Sequence, residues 1–218
     1  MKESYMKQIL DVIKSEKIVA ILRGIPTDKM TSVITALYNG GIRVLEITFN
    51  QKSETKLEDT AYAIRLAKSL FPDMHVGAGT TMSIAEVHAA HDAGAEFILA
   101  PNVNEHVIRE AVNLGMLAVP GALTPTEIVT AYEYGAQVVK LFPAGNFGTS
   151  YVKAITAPIS HIPLMAVGGI DLNNMNDFLN AGICSVGIGS CLTEKKLIEN
   201  NDWDALKELT GKYVEAAK

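Results

Sequence analysis

The sequence predicts an α/β chain folded as a (β/α)8 TIM barrel with an extra N-terminal helix. Three observations carry that expectation. Eight short β-rich runs recur along the 218 residues, each followed by room for two loops and a helix. The intervening segments keep stopping at glycine, at Gly40-Gly41, Gly94, Gly115, Gly135 and Gly182, the residue type that most readily takes the left-handed position past a helix end. A phrase also repeats: helix, Ala-Gly or Asn-Gly, apolar strand, then a small or polar residue. Asn39-Gly-Gly-Ile-Arg-Val-Leu-Glu, Ala93-Gly-Ala-Glu-Phe-Ile-Leu and Ala181-Gly-Ile-Cys-Ser-Val-Gly share it. The main rival is a doubly wound open sheet.

In chain order, residues 3–15 read as a helix with Tyr5, Ile9, Val12 and Ile13 on one face. Strands are expected over 18–23, 44–49, 76–80, 97–100, 117–119, 138–142, 164–167 and 185–188. Helices are expected over 28–39, 53–70, 83–93, 104–114, 126–134 and 173–181. Ser83-Ile-Ala-Glu86 and Thr124-Pro-Thr-Glu127 resemble capping boxes. Asn146–Ser150 reads as a loop over the barrel mouth or a connector. No Pro/Ser-rich linker or charge block divides the chain, so residues 1–218 form one domain, within the size of single-domain barrels.

Composition narrows the function. Apolar residues make up 48% and aromatics 6%, which suits an aliphatic core with glycine-rich turns. A net charge of −5 argues against a broad nucleic-acid footprint. An anionic substrate then needs locally placed donors rather than overall steering. The N-terminus has mixed charge and no apolar signal core, and no apolar run approaches the ~20 residues of a membrane span. The expectation is a soluble, cytoplasmic protein. Cys184 and Cys191 flank a strand-like run and sit too far apart to bridge, so both are read as reduced thiols. His75, His88, His91, His106 and His161 show no inward metal spacing; His88 and His91 fall on an exposed helical face, and no metal is expected.

In a barrel, chemistry sits where strands end. Lys140 lies inside the apolar run Val138-Val-Lys-Leu-Phe142, where an ammonium either escapes to solvent or becomes a functional amine. Desolvated, such an amine loses its proton more easily and attacks carbonyls. Glu46, mid-run in Val44-Leu-Glu-Ile-Thr-Phe49, is the matching carboxylate, with Thr48 on its face as Phe142 is on that of Lys140. Facing each other the two charges can form a structural pair. Together they are also the minimum apparatus for imine chemistry, with the carboxylate moving protons. Gly168-Gly169 and Gly189-Ser190 end two strands with exposed amides, either a phosphate cup or plain tight turns. Arg23 can take a substrate carboxylate bidentately, or pair at the surface. Phe142, Pro143 and Pro101 can wall the pocket.

The motifs V-A-I-L-R-G (19–24), L-E-I-T (45–48), V-G-A-G-T (76–80), A-P-N (100–102), P-G-A-L-T-P-T-E (120–127), V-K-L-F-P-A (139–144) and V-G-G-I (167–170) stand in the order found in a known family. Across nearly the whole chain the sequence resembles the class I aldolases acting on 2-keto-3-deoxy-6-phosphogluconate (KDPG) and 4-hydroxy-2-oxoglutarate (KHG). The resemblance implies a homotrimeric barrel that cleaves a phosphorylated 2-keto acid to pyruvate and glyceraldehyde 3-phosphate (or KHG to pyruvate and glyoxylate), with no metal or other cofactor. It implies Lys140 as the Schiff-base lysine and Glu46 as the general acid/base acting through a water. Thr80, Pro101 and Phe142 would line the pyruvyl pocket with Thr48 close by, and Gly168, Gly169 and Ser190 would hold the phosphate.

Two positions depart from the common pattern. Asn50 stands where many members have an arginine for the substrate carboxylate, and Arg23, present in a subset, is the candidate replacement. Val167 stands where many have threonine; with A-P-N and F-G-T-S-Y-V-K it looks more like the branch acting on the galactonate epimer. Two readings from other classes share the same residues. A phosphosugar isomerase or epimerase would need a second acid/base group beside Glu46, and a non-catalytic phosphometabolite-binding barrel would need only the pair and the cup.

Overall fold

A computed structural model describes residues 2–218. All eight expected strands form, as β1 (Ile18–Leu22), β2 (Val44–Thr48), β3 (His75–Gly79), β4 (Phe97–Leu99), β5 (Leu117–Val119), β7 (Val139–Leu141), β8 (Leu164–Val167) and β9 (Ser185–Ile188). A further two-residue strand, β6 (Gly121–Ala122), follows β5 at once. Every pairing is parallel, in the order β5-β4-β3-β2-β1-β9-β8-β7-β6. The two ends of that order are therefore one piece of chain. Pro120 interrupts it, because a residue without an N–H cannot hold a ladder position. β5 serves β4, β6 serves β7, and the Pro120 carbonyl accepts the Lys140 amide at 2.9 Å. Counted as one interrupted strand, β5 and β6 close an eight-staved barrel, and the open-sheet rival is set aside.

Alternation along the strands sorts the apolar residues into two cores. One lies between strands and helices and takes Ile18, Ala20, Leu22, Leu45, Ile47, Val139 and Leu141 among many others. The second fills the barrel with Val19, Ile21, Val44, Phe97, Leu99, Leu117, Val119, Val138, Met165 and Val167. Helix α1 (Lys2–Glu16) stoppers its lower end by adding Ile9, Leu10 and Ile13. Each such fully buried aliphatic contributes about 1.5–3 kcal/mol. The inward row thus reads Val44 then Glu46, and Val138 then Lys140, so each charge stands on top of packed aliphatic side chains.

The expected helices appear as α2 (Thr27–Asn39), α3 (Lys56–Leu70), α4 (Ile84–Asp92), α5 (Glu105–Leu114), α6 (Pro125–Glu133) and α8 (Met175–Asn180). Both capping boxes form, at Ser83/Glu86 and Thr124/Glu127. Four details differ. The buried face of α1 is Met6, Ile9, Leu10 and Ile13, while Tyr5 stays 44% exposed. α3 starts at Lys56, because Ser53 and Thr55 turn their hydroxyls onto each other and onto Asp59 instead. The supposed connector at 146–150 is a 3-10 turn (Ala144–Asn146) running into helix α7 (Gly148–Thr156). After β9 come two helices not foreseen above, α9 (Lys195–Glu199) and α10 (Trp203–Ala217); α10 packs on α2, where Thr210 fills the space over Gly40.

Candidate active site

Lys140 and Glu46 are both buried inside the barrel, 5% and 1% exposed. Among the described residues Lys140 has no carboxylate within 4.0 Å, so the structural ion pair is not formed. Its ammonium sits 4.7 Å from the centroid of the Phe142 ring. Burial pushes the Lys140 pKa below the ordinary lysine value, against the pull of Glu46 and helped by the Arg23 charge. Burial likewise raises the Glu46 pKa, opposed by Lys140 and Arg23. The lowered pKa of Lys140 frees the amine as a nucleophile, and the raised pKa of Glu46 makes its carboxylate a stronger base. Glu46 Oε2 is the one buried side-chain N/O atom without a hydrogen-bond partner among the described residues. A buried acceptor left open in this way costs about 1–3 kcal/mol and is ready for a partner brought by a ligand.

The glycines of β3 make this placement possible. β3 pairs with β2, and its Gly77 and Gly79 leave room inside the barrel. A Cβ at Gly77 would overlap the Phe97 ring, and one at Gly79 would overlap the Glu46 carboxylate. The carboxylate therefore occupies the side-chain space that Gly79 leaves empty.

Above the pair opens a cavity of about 370 Å³. It brings together ten of the eleven residues singled out from the sequence: Arg23, Glu46, Thr80, Pro101, Lys140, Phe142, Gly168, Gly169, Gly189 and Ser190. Thr48 is the exception. It lies at the rim, where β2 meets the loop after β1, and lines a neighbouring cavity with Ile25, Asn50 and Lys56. Asn50 faces the same way, and its Oδ1 accepts the Lys52 amide at 3.2 Å. Arg23 reaches across the mouth, with Nη2 on Thr80 Oγ1 at 3.1 Å and no carboxylate within 4.0 Å among the described residues.

At the end of β8, beside Phe142, Gly168 and Gly169 take φ of 87° and 75°, a left-handed pair that side chains resist. Gly145 donates to the Gly168 carbonyl at 2.8 Å and Asn174 Nδ2 to that of Gly169 at 2.8 Å. Among the described residues, the turn and loop hydrogen bonds include none donated by the amides of Gly168, Gly169, Gly189 or Ser190. Those amides are the donors an anion at this wall would meet. No group of three or more His, Cys, Asp or Glu among the described residues is placed to hold a metal. Cys184 and Cys191 are both free, and Cys191 lines the cavity beside Ser190. Sequence reasoning missed Cys191 as part of the cavity lining.

A family model described as KDPG and KHG aldolase matches residues 9–209. The chain belongs to that family. It is thereby an aldolase, a carbon–carbon lyase. A 2-dehydro-3-deoxy-phosphogluconate aldolase of Haemophilus influenzae is 33% identical over 97% of this chain and 98% of its own. A 2-dehydro-3-deoxy-6-phosphogalactonate aldolase of Escherichia coli is 38% identical over 80% and 83%. The KDPG aldolase of Legionella pneumophila, solved with pyruvate captured as a covalent carbinolamine, superposes with a TM-score of 0.83 at 25% identity, covering 93% and 96% of the two chains. Among the described residues of this aldolase no helix is long and apolar enough to cross a membrane.

Proposed function

We propose that this aldolase cleaves a phosphorylated 2-keto-3-deoxy sugar acid to pyruvate and glyceraldehyde 3-phosphate through an imine on Lys140. The carrying observation is Lys140 itself, buried, unpaired and facing a cavity shared with the open Oε2 of Glu46. The Lys140 nitrogen adds to the C2 carbonyl, and the carbinolamine loses water to give an iminium. A proton then leaves the C4 hydroxyl for Glu46, directly or through a water. The C3–C4 bond breaks as the aldehyde forms, and its electron pair enters the iminium to give an enamine. Reprotonation at C3 and hydrolysis release pyruvate and restore the amine.

Arg23 holds the carboxylate in this reading, since Asn50 points into another cavity and Arg23 meets no acid of the protein. The phosphate falls to the amides of Gly168, Gly169, Gly189 and Ser190. The first reading of the substrate is the gluconate epimer, with KHG as a shorter alternative. Val167 in the cavity wall, apolar where many members carry threonine, favours the galactonate epimer as the second. A homotrimer belongs to the same proposal by family resemblance, and sedimentation at three chain masses checks it. Pyruvate release should be measured with both phosphorylated epimers and with KHG. Cleavage of at least one, lost by at least about 10³-fold in Lys140→Met, is expected. Turnover of a phosphosugar without carbon–carbon cleavage would overturn the reading in favour of an isomerase.

A further inference from the structure

The two capping boxes of this chain have the same local chemistry and different surroundings. At α6 the Glu127 carboxylate takes the Leu123 and Thr124 amides at 3.0 and 2.8 Å and the Thr124 hydroxyl at 2.8 Å, all through Oε2 at an exposed position. At α4 Glu86 is fully buried, and one oxygen does the capping, with the Met82 and Ser83 amides at 2.6 and 2.9 Å. Its other oxygen is held by Gln51 Nε2 and Lys56 Nζ, both at 2.7 Å. Capping a helix does not need those last two bonds.

They lead to the mouth. Lys56 also donates to Gln51 Oε1 at 2.8 Å, which orients the amide, and Gln51 Nε2 donates to the Thr80 carbonyl at 2.9 Å. Thr80 has φ of 55°, a left-handed conformation that a β-branched residue resists. Such a backbone persists where its surroundings hold it. Its hydroxyl in turn receives Arg23 Nη2. An unbroken run of polar contacts therefore extends from the start of α4, through the loop after β2, to the cation in the cavity.

We propose that Gln51 and Glu86 are positioning residues for the substrate carboxylate: they fix Thr80 and, through it, set the Arg23 guanidinium across the mouth. This rests on the reading of Arg23 given above. Glu86→Gln is a selective probe. Its remaining oxygen can keep the two capping amides, while its new NH2 faces the Gln51 amide and the Lys56 ammonium, all donors on one side. If Gln51 flips to answer it, the Gln51 oxygen faces the Thr80 carbonyl and that contact is lost.

The test follows the initial rate of borohydride inactivation against pyruvate concentration. Glu86→Gln and Gln51→Leu should each raise half-saturating pyruvate on the order of tenfold, with the maximal rate unchanged. In an Arg23→Leu background neither should add anything, the non-additivity expected of residues acting through one another. Unchanged half-saturation in both variants, or equal losses with and without Arg23, would overturn the proposal. If Glu86→Gln does not fold, the exposed Gln51→Leu decides alone. No inactivation of the parent protein would instead remove the imine reading. An Arg23→Leu protein that binds pyruvate normally would remove Arg23 as the holder, and this proposal with it, while Lys140 chemistry stands.

Discussion

Lys140 is visible in the sequence because a charge inside an apolar strand is costly, and among the described residues it has no carboxylate within 4.0 Å, only the Phe142 ring with its centroid at 4.7 Å. A structural pair would behave differently on mutation. Breaking a true buried pair by removing one partner costs about 3–5 kcal/mol. Lys140→Met should instead unfold in urea at pH 7 within about 1 kcal/mol of the parent, since it removes a desolvated amine and adds apolar packing. The pH dependence has a definite sign. The folded pKa of Lys140 lies below the ordinary lysine value, so between the two the unfolded chain binds more protons and stability rises with pH. The parent should therefore gain on the methionine variant as pH climbs toward the lysine range. A loss of several kcal/mol in Lys140→Met at neutral pH would mark a structural pair.

Strand β3 shows what an element adds that its residues do not announce. V-G-A-G-T is legible as a family motif and as a strand, yet its glycines do their work on the neighbouring strands, beside the Phe97 ring of β4 and the Glu46 carboxylate of β2. Gly79→Ala should displace Glu46 and cut cleavage at least about tenfold, with an overpacking cost of about 1–3 kcal/mol. Steady-state kinetics beside thermal unfolding check both; full activity in a folded variant would show the seat to be dispensable. Helix ends were legible where local chemistry sets them, as at the two capping boxes and at Gly115 with φ of 88°. Helix α7 was not, since it starts at Gly148 after Phe147, with no side-chain cap to mark its beginning. Thr48 holds regular ladder register opposite Gly79, yet the cavity it lines is the neighbouring one; alternation predicts the face of a strand residue and not which cavity opens beside it.

For the molecule as a whole, the eight strands came from repeated local phrases, and barrel closure turned their ends into one cavity. The break at Pro120 could not be read as a joint between two ladders, because only the closed ring shows β5 and β6 serving opposite neighbours. Nor could the run from Glu86 to Arg23, whose members lie on four separate segments. Closure places Lys140 from β7 and Glu46 from β2 over one packed interior, with glycine amides at the ends of β8 and β9 lining the same cavity. The imine is the step on which everything else depends. Incubation with pyruvate and borohydride, followed by peptide mass mapping, should show one reduced pyruvyl adduct per chain, on Lys140; an unmodified Lys140, or an adduct on another lysine, would contradict it.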